Sequence, residues 1–130
     1  MSLKLWHCAG SRSVRPLWTM EEMGLDYELE VMQFPPRFLH PGYAEINPIG
    51  TVPYFVDDKG GPDNIIQMTE SAGISQYLVD RYGPSTLAVE PSEVGYGGYL
   101  NWLHRSDATL TFPQTLVLRY TLLEPEAMRL

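Results

Sequence analysis

Apolar and polar residues alternate at the start of the chain and then shift to helical spacing. Leu3-Lys4-Leu5-Trp6-His7 reads as a strand, since a period of two suits a sheet with one buried face. From Ser11 to Gly24 the residues Val14, Leu17 and Trp18 share one helical face, and Gly24 is the expected stop. Pro16 fits there because the first turn loses no intrahelical N–H bond. Tyr27 to Met32 predicts a second strand. Pro35-Pro36 through Pro48 reads as a loop with one short helix around Tyr43–Glu45. Tyr54–Val56 and Ile65–Met68 predict a hairpin across a turn rich in Asp, Gly and Pro. Ser71 to Tyr82 predicts a helix with Ile74, Tyr77 and Leu78 on one face and Gly83-Pro84 as its stop. Pro84 to Pro91 reads as a linker. Beyond it, Ser92 to Thr111 has helical character, with Tyr99, Trp102 and Leu103 spaced by polar residues. Pro113 is expected to end or kink that helix, and Leu116-Val117-Leu118 opens another apolar stretch.

The order βαβ, then ββα, predicts an α/β domain over residues 1–83. A linker over 84–91 and the first helices of an all-α domain over 92–130 follow. Hydrophobic content of 44% and charged content of 19% are globular values. A formal charge of −7 argues against nucleic acid and against an anionic membrane surface. It does not exclude an anionic ligand, because local N–H groups outweigh net charge at short range. The lone Cys8 rules out an intrachain disulfide and offers no metal cluster, and it reads as a small buried residue. No apolar run approaches membrane-spanning length, so a cytoplasmic protein is expected.

Three strings carry candidate chemistry. The first is Asn47-Pro48-Ile49-Gly50-Thr51-Val52-Pro53. Pro53 cannot donate to a sheet ladder, which suits the first residue of a strand. Only about 5–6% of X–Pro bonds are cis, so trans is the expectation from the dipeptide alone. The second is Thr69-Glu70-Ser71-Ala72, with Glu70 seventeen residues beyond Pro53. Ser71 reads either as a helix N-cap or, with the free N–H groups, as a carboxylate site. The third is Gly10-Ser11-Arg12-Ser13-Val14-Arg15, which follows the first strand. Ser13 is the more natural N-cap there.

Taken together and in this order, the strings resemble the glutathione transferase superfamily, densely over residues 3–83 and more loosely over 90–123. The resemblance implies a thioredoxin-like N-terminal domain with a cis-proline at the start of a strand. It implies glutathione as co-substrate, no metal, and a homodimer. Ser11 is the first choice for stabilising the glutathione thiolate, since it follows Gly10 and precedes Arg15 by four positions. Ser13 and Arg12 are the alternates. Val52, beside Pro53, would pair its backbone with the cysteinyl amide. Glu70 and Ser71 would hold the γ-glutamyl end. Relatives often place histidine or another polar residue where this chain has Phe38 and Gly50, so Arg37 and His40 stand as substitutes for binding the glycine carboxylate.

A small apolar electrophile is the implied second substrate, with Trp102, His104, Arg105 and Phe112 as candidates to line its site. Residues of those four types are more often core or solvated face. The family's helical domain holds five or more helices, so a truncated chain is expected here. Two alternatives stay open. One is a non-catalytic glutathione-binding or assembly module of the same fold. The other is a glutathione-dependent thiol-disulfide or isomerase activity, disfavoured by the absence of Cys-x-x-Cys.

Overall fold

The computed structural model describes residues 1–129. The chain divides into one unit over Met1–Ala88 and a second from Val89 onward. In the first, strand β1 (Leu3–Cys8) is followed by helix α1 (Val14–Glu22) and strand β2 (Glu28–Met32). Two single-turn helices come next, α2 (Pro36–Leu39) and α3 (Tyr43–Ile46), where the sequence predicted one. Strands β3 (Tyr54–Asp57) and β4 (Ile66–Met68) and helix α4 (Ser71–Tyr82) complete the unit.

The sheet order is β2-β1-β3-β4. β1 runs parallel to β2 and antiparallel to β3, and β3 pairs antiparallel with β4. The expected α/β, thioredoxin-like arrangement is therefore present. Alternation along β1 divides its residues between two cores. Leu3 and Leu5 meet Met20 of α1, Phe55 of β3, and Ile74 and Leu78 of α4. Trp6 and Cys8 face the other way, onto Met32, Tyr43 of α3, Val52 and Tyr54. The same alternation puts His7 on the Leu3 and Leu5 face, towards α1.

α1 is shorter than the Ser11–Gly24 span predicted. Its end follows the predicted chemistry: Gly24 has φ +61°, and the Leu25 N–H donates to the Met20 carbonyl at 3.0 Å. The outer strand β2 places Glu28 and Glu30 each 4.0 Å from Lys4 on β1.

The far end of the sheet is pinned by a buried carboxylate. Asp57 is 3% exposed. It accepts hydrogen bonds from Tyr77 at 2.7 Å, from Tyr82, and from the Lys59 N–H at 3.0 Å. Burial by itself would raise this carboxyl. The bonds from Tyr82, Tyr77 and Lys59, with the Lys59 charge, outweigh burial and hold it below its ordinary value.

The second unit starts with turns, and helix α5 (Tyr96–Arg105) begins four residues later than expected. Pro113 does not end the helical course. A wide π-helical turn over Ser106–Thr111 intervenes, and Pro113 then falls in the first turn of helix α6 (Phe112–Leu118). There its missing N–H breaks no bond within α6. The Phe112 N–H reaches back to the Asp107 carbonyl, and the Thr111 hydroxyl donates to the Ser106 carbonyl at 2.6 Å. A second π-helical turn (Arg119–Leu123) and a 3₁₀ turn (Glu126–Met128) follow. Among the described residues, no helix is long and apolar enough to cross a membrane.

Asp57→Ala is expected to cost about 2–4 kcal/mol in denaturant unfolding, because it strands two tyrosine hydroxyls. A depressed carboxyl stabilises the fold fully above its unfolded value of about 4 and loses that contribution as pH falls through the folded value. Asp57→Asn should therefore unfold with a flatter dependence on acid pH than wild type. Equal acid slopes would refute the assignment.

Candidate functional site

Three chain segments meet at one end of the sheet because of strand register. β1 and β3 are antiparallel with Trp6 opposite Tyr54. The turn leaving β1 therefore lies beside the Val52–Pro53 segment entering β3, and Cys8 and Val52 share one apolar cluster. β4 is antiparallel to β3 with Met68 opposite Phe55. Thr69-Glu70-Ser71 thus leaves the sheet at the same end.

The turn after β1 starts with Gly10 at φ +73°. The Ser11 N–H donates to the Cys8 carbonyl at 3.2 Å, and the Ser11 hydroxyl donates to the same carbonyl at 2.8 Å. Ser11 is half-buried, Arg12 exposed and Ser13 fully buried. Ser13 stands at the N-cap position of α1, but its side chain makes no capping bond. Its Oγ accepts from the Cys8 N–H at 3.2 Å, and it lies 2.6 Å from Ser11 Oγ and 2.7 Å from His7 Nδ1. The capping expectation fails because the hydroxyl has nearer partners on β1. Burial lowers the His7 pKa and so favours the neutral ring.

The Val52–Pro53 bond is cis, unlike the trans expectation from the dipeptide alone; Phe34–Pro35 and Gly83–Pro84 are cis as well. The loop before it is braced at Thr51, whose carbonyl accepts from the Tyr43 hydroxyl at 2.6 Å and from Asn47 Nδ2 at 2.9 Å. Arg37 reaches the same loop, donating from Nη2 to the Ile49 carbonyl at 3.1 Å. His40 instead packs edge-on against the Tyr43 ring at 6.2 Å.

Ser71 is the first helical residue of α4 and not its N-cap. Glu70 holds the cap position without a side-chain capping bond. The buried Ser71 hydroxyl accepts from Arg15 Nη1 at 3.3 Å, which joins the first turns of α1 and α4. Glu70 is exposed, with Thr69 Oγ1 at 3.4 Å.

Cys8 is fully buried, and burial raises its thiol pKa, so it stays protonated and closed to solvent. That is the small buried cysteine expected. Among the described residues no cluster of His, Cys, Asp and Glu is arranged to hold a metal. Trp102, His104, Arg105 and Phe112 all lie in the second unit. Trp102 is 60% exposed, with the Arg105 guanidinium 4.9 Å from its ring centre. His104 and Phe112 are also exposed. His7 is the one residue of the turn network that the sequence did not single out; there it reads as an ordinary polar position of a strand.

Residues 1–80 match the sequence model of the glutathione S-transferase N-terminal domain. Glutathione S-transferase 3 of Schizosaccharomyces pombe is 35% identical over 106 residues, covering 82% of this chain and 41% of that protein. The chain spans less than half the length of the curated relatives it matches. A glutathione transferase structure from Methylococcus capsulatus superposes with a TM-score of 0.74 at 28% identity, covering 97% of this chain and 60% of that one. The glutathione transferase URE2P6 of Phanerochaete chrysosporium, solved in complex with oxidized glutathione, does so with a TM-score of 0.74 at 26% identity, covering 96% and 57%.

Gly50 tests the loop. It has φ +68°, and a Cβ there would stand 2.9 Å from Arg37 Cβ. Gly50→Ala is expected to lose about 1–3 kcal/mol in denaturant unfolding, through both backbone strain and that overlap. A variant as stable as wild type would show that the loop and Arg37 are not held as described.

Proposed function

We propose a function on one premise: the chain belongs to the glutathione S-transferase family. It binds glutathione at the sheet end described above and stabilises its thiolate for attack on a small apolar electrophile. The observation that supports this is the half-buried Ser11 hydroxyl, held in the turn that leaves β1 at the end of the sheet where Val52–Pro53 enters β3.

A free thiol has a pKa of about 8.5 and is mostly protonated at neutral pH. A hydroxyl donor beside the sulfur favours the anion, and the thiol proton passes to water. On this reading Ser11 is the donor. Ser13 is too buried to reach the sulfur, and Arg12 adds positive charge at the rim. The Val52 backbone pairs with the cysteinyl amide in the manner of an added strand. The γ-glutamyl carboxylate sits at the N-terminus of α4 on Ser71, where the Arg15 guanidinium adds charge. Glu70 takes the ammonium. Arg37 is better placed than His40 for the glycine carboxylate, since it spans to Ile49 beside the cis-proline loop. A cytoplasmic homodimer completes the reading.

Ser11→Ala in the intact protein should lower kcat/KM with a chloronitrobenzene electrophile by about 10- to 100-fold. Glutathione affinity should be nearly unchanged. Undiminished turnover would refute the thiolate role. Ser71→Ala should weaken glutathione binding about tenfold in calorimetry, since it removes a hydrogen bond to a charged group. An unchanged Kd would remove Ser71 from the site.

A further inference from the structure

Three side-chain contacts of 2.6–2.8 Å in the turn after β1 can be assigned their hydrogens by elimination. A serine hydroxyl has one hydrogen to donate, and a backbone carbonyl has none. The 2.8 Å contact between Ser11 Oγ and the Cys8 carbonyl therefore uses the Ser11 hydrogen. The 2.6 Å contact between the two serine oxygens then takes the Ser13 hydrogen, whose other acceptor within reach, the Cys8 carbonyl at 3.4 Å, is far longer and already accepts from Ser11. Ser13 has nothing left to give His7, so the 2.7 Å contact between Nδ1 and Ser13 Oγ uses a hydrogen on His7 Nδ1. The second lone pair of Ser13 accepts from the Cys8 N–H at 3.2 Å, which saturates that oxygen.

We propose that His7 is a positioning residue, acting through Ser13 to keep the Ser11 hydrogen out of the contact between the two serines and so available to the glutathione sulfur. The proposal rests on the thiolate role of Ser11 given above. The donors run one way, from the His7 ring through Ser13 to Ser11. In the opposite tautomer Nδ1 would draw the Ser13 hydrogen, Ser11 would turn its own hydrogen inward to Ser13, and the thiolate would face a bare oxygen. A one-way chain also polarises each hydroxyl in turn, so the last is the strongest donor. When the sulfur arrives, the Ser11 hydrogen swings from the Cys8 carbonyl to the thiolate. The carbonyl keeps the Ser11 N–H at 3.2 Å, so no acceptor is stranded. No covalent step is added: the thiol proton leaves to water, and His7 neither gains nor loses one.

The test is the pH titration of bound glutathione, followed by thiolate ultraviolet absorbance in the intact protein. His7→Phe fills the ring's space without a donor. It should raise the apparent thiol pKa, cutting kcat/KM below that pKa about five- to tenfold while glutathione Kd changes less than twofold. His7→Asn, which keeps an N–H near the place of Nδ1, should restore most of the loss. In a Ser13→Ala background, His7→Phe should add nothing further, because the link is already cut. If His7→Phe leaves the thiol titration unchanged while Ser11→Ala abolishes the thiolate, the relay is wrong and the role of Ser11 stands. If His7→Phe and His7→Asn are equally impaired and equally destabilised, His7 is structural and the relay is again wrong. If Ser11→Ala leaves the thiolate intact, the thiolate role of Ser11 fails, and the relay fails with it.

Discussion

The antiparallel pairing of β1 with β3 is the constraint on which the rest of the site depends. Its register sets Trp6 opposite Tyr54 and Leu5 opposite Phe55. A slip by one residue would turn Leu3 and Leu5 away from α1 and α4 and destroy both apolar clusters together. Burial on two faces therefore locks the register, and the register in turn brings the end of β1, at Cys8, to the segment that holds Val52. Local turn chemistry alone could not achieve this, because the two segments lie about forty residues apart in the chain.

Polar groups then secure both ends of that frame. At one end Arg15 donates to Ser71, tying α1 to α4, while Ser13 ties the start of α1 to the last residues of β1. At the other end Asp57 gathers Tyr77 and Tyr82 from the last turns of α4. α4 is thus anchored at its first turn and again near its last, with Ile74 and Leu78 buried between. α4 can therefore start with an exposed Glu70 at its cap position, because its buried face and its two anchors fix it elsewhere.

Much of this was legible in the sequence. The α4 boundaries followed from helical spacing and the Gly83-Pro84 stop, and the order of elements predicted the α/β class. Two of the misses share one physical cause. Ser13 and Ser71 each read as a helix cap, yet each hydroxyl found a partner outside its own helix: the Cys8 N–H and the Arg15 guanidinium. Pro113 reads as the end or a kink of a helix, and a wider π-helical turn stands just before it. His7 carried no signal at all, because a histidine in a strand gains meaning only from what the next turn folds over it. Local propensity predicts where elements form, and it says little about which long-range partner a short polar side chain will choose.

The outer strand β2 has a consequence for how copies of this protein meet. It is a free sheet edge with unpaired backbone groups, and Leu29 and Val31 on it are exposed. Such an edge invites continuous sheet formation between molecules. Here Glu28 and Glu30 alternate with those apolar residues, and Lys4 lies within 4.0 Å of both on the inner neighbour. Two copies joined edge to edge along β2 would set carboxylates against carboxylates, each already sharing its one lysine. The alternation that makes β2 a strand therefore also sets like charges against the joining of two such edges.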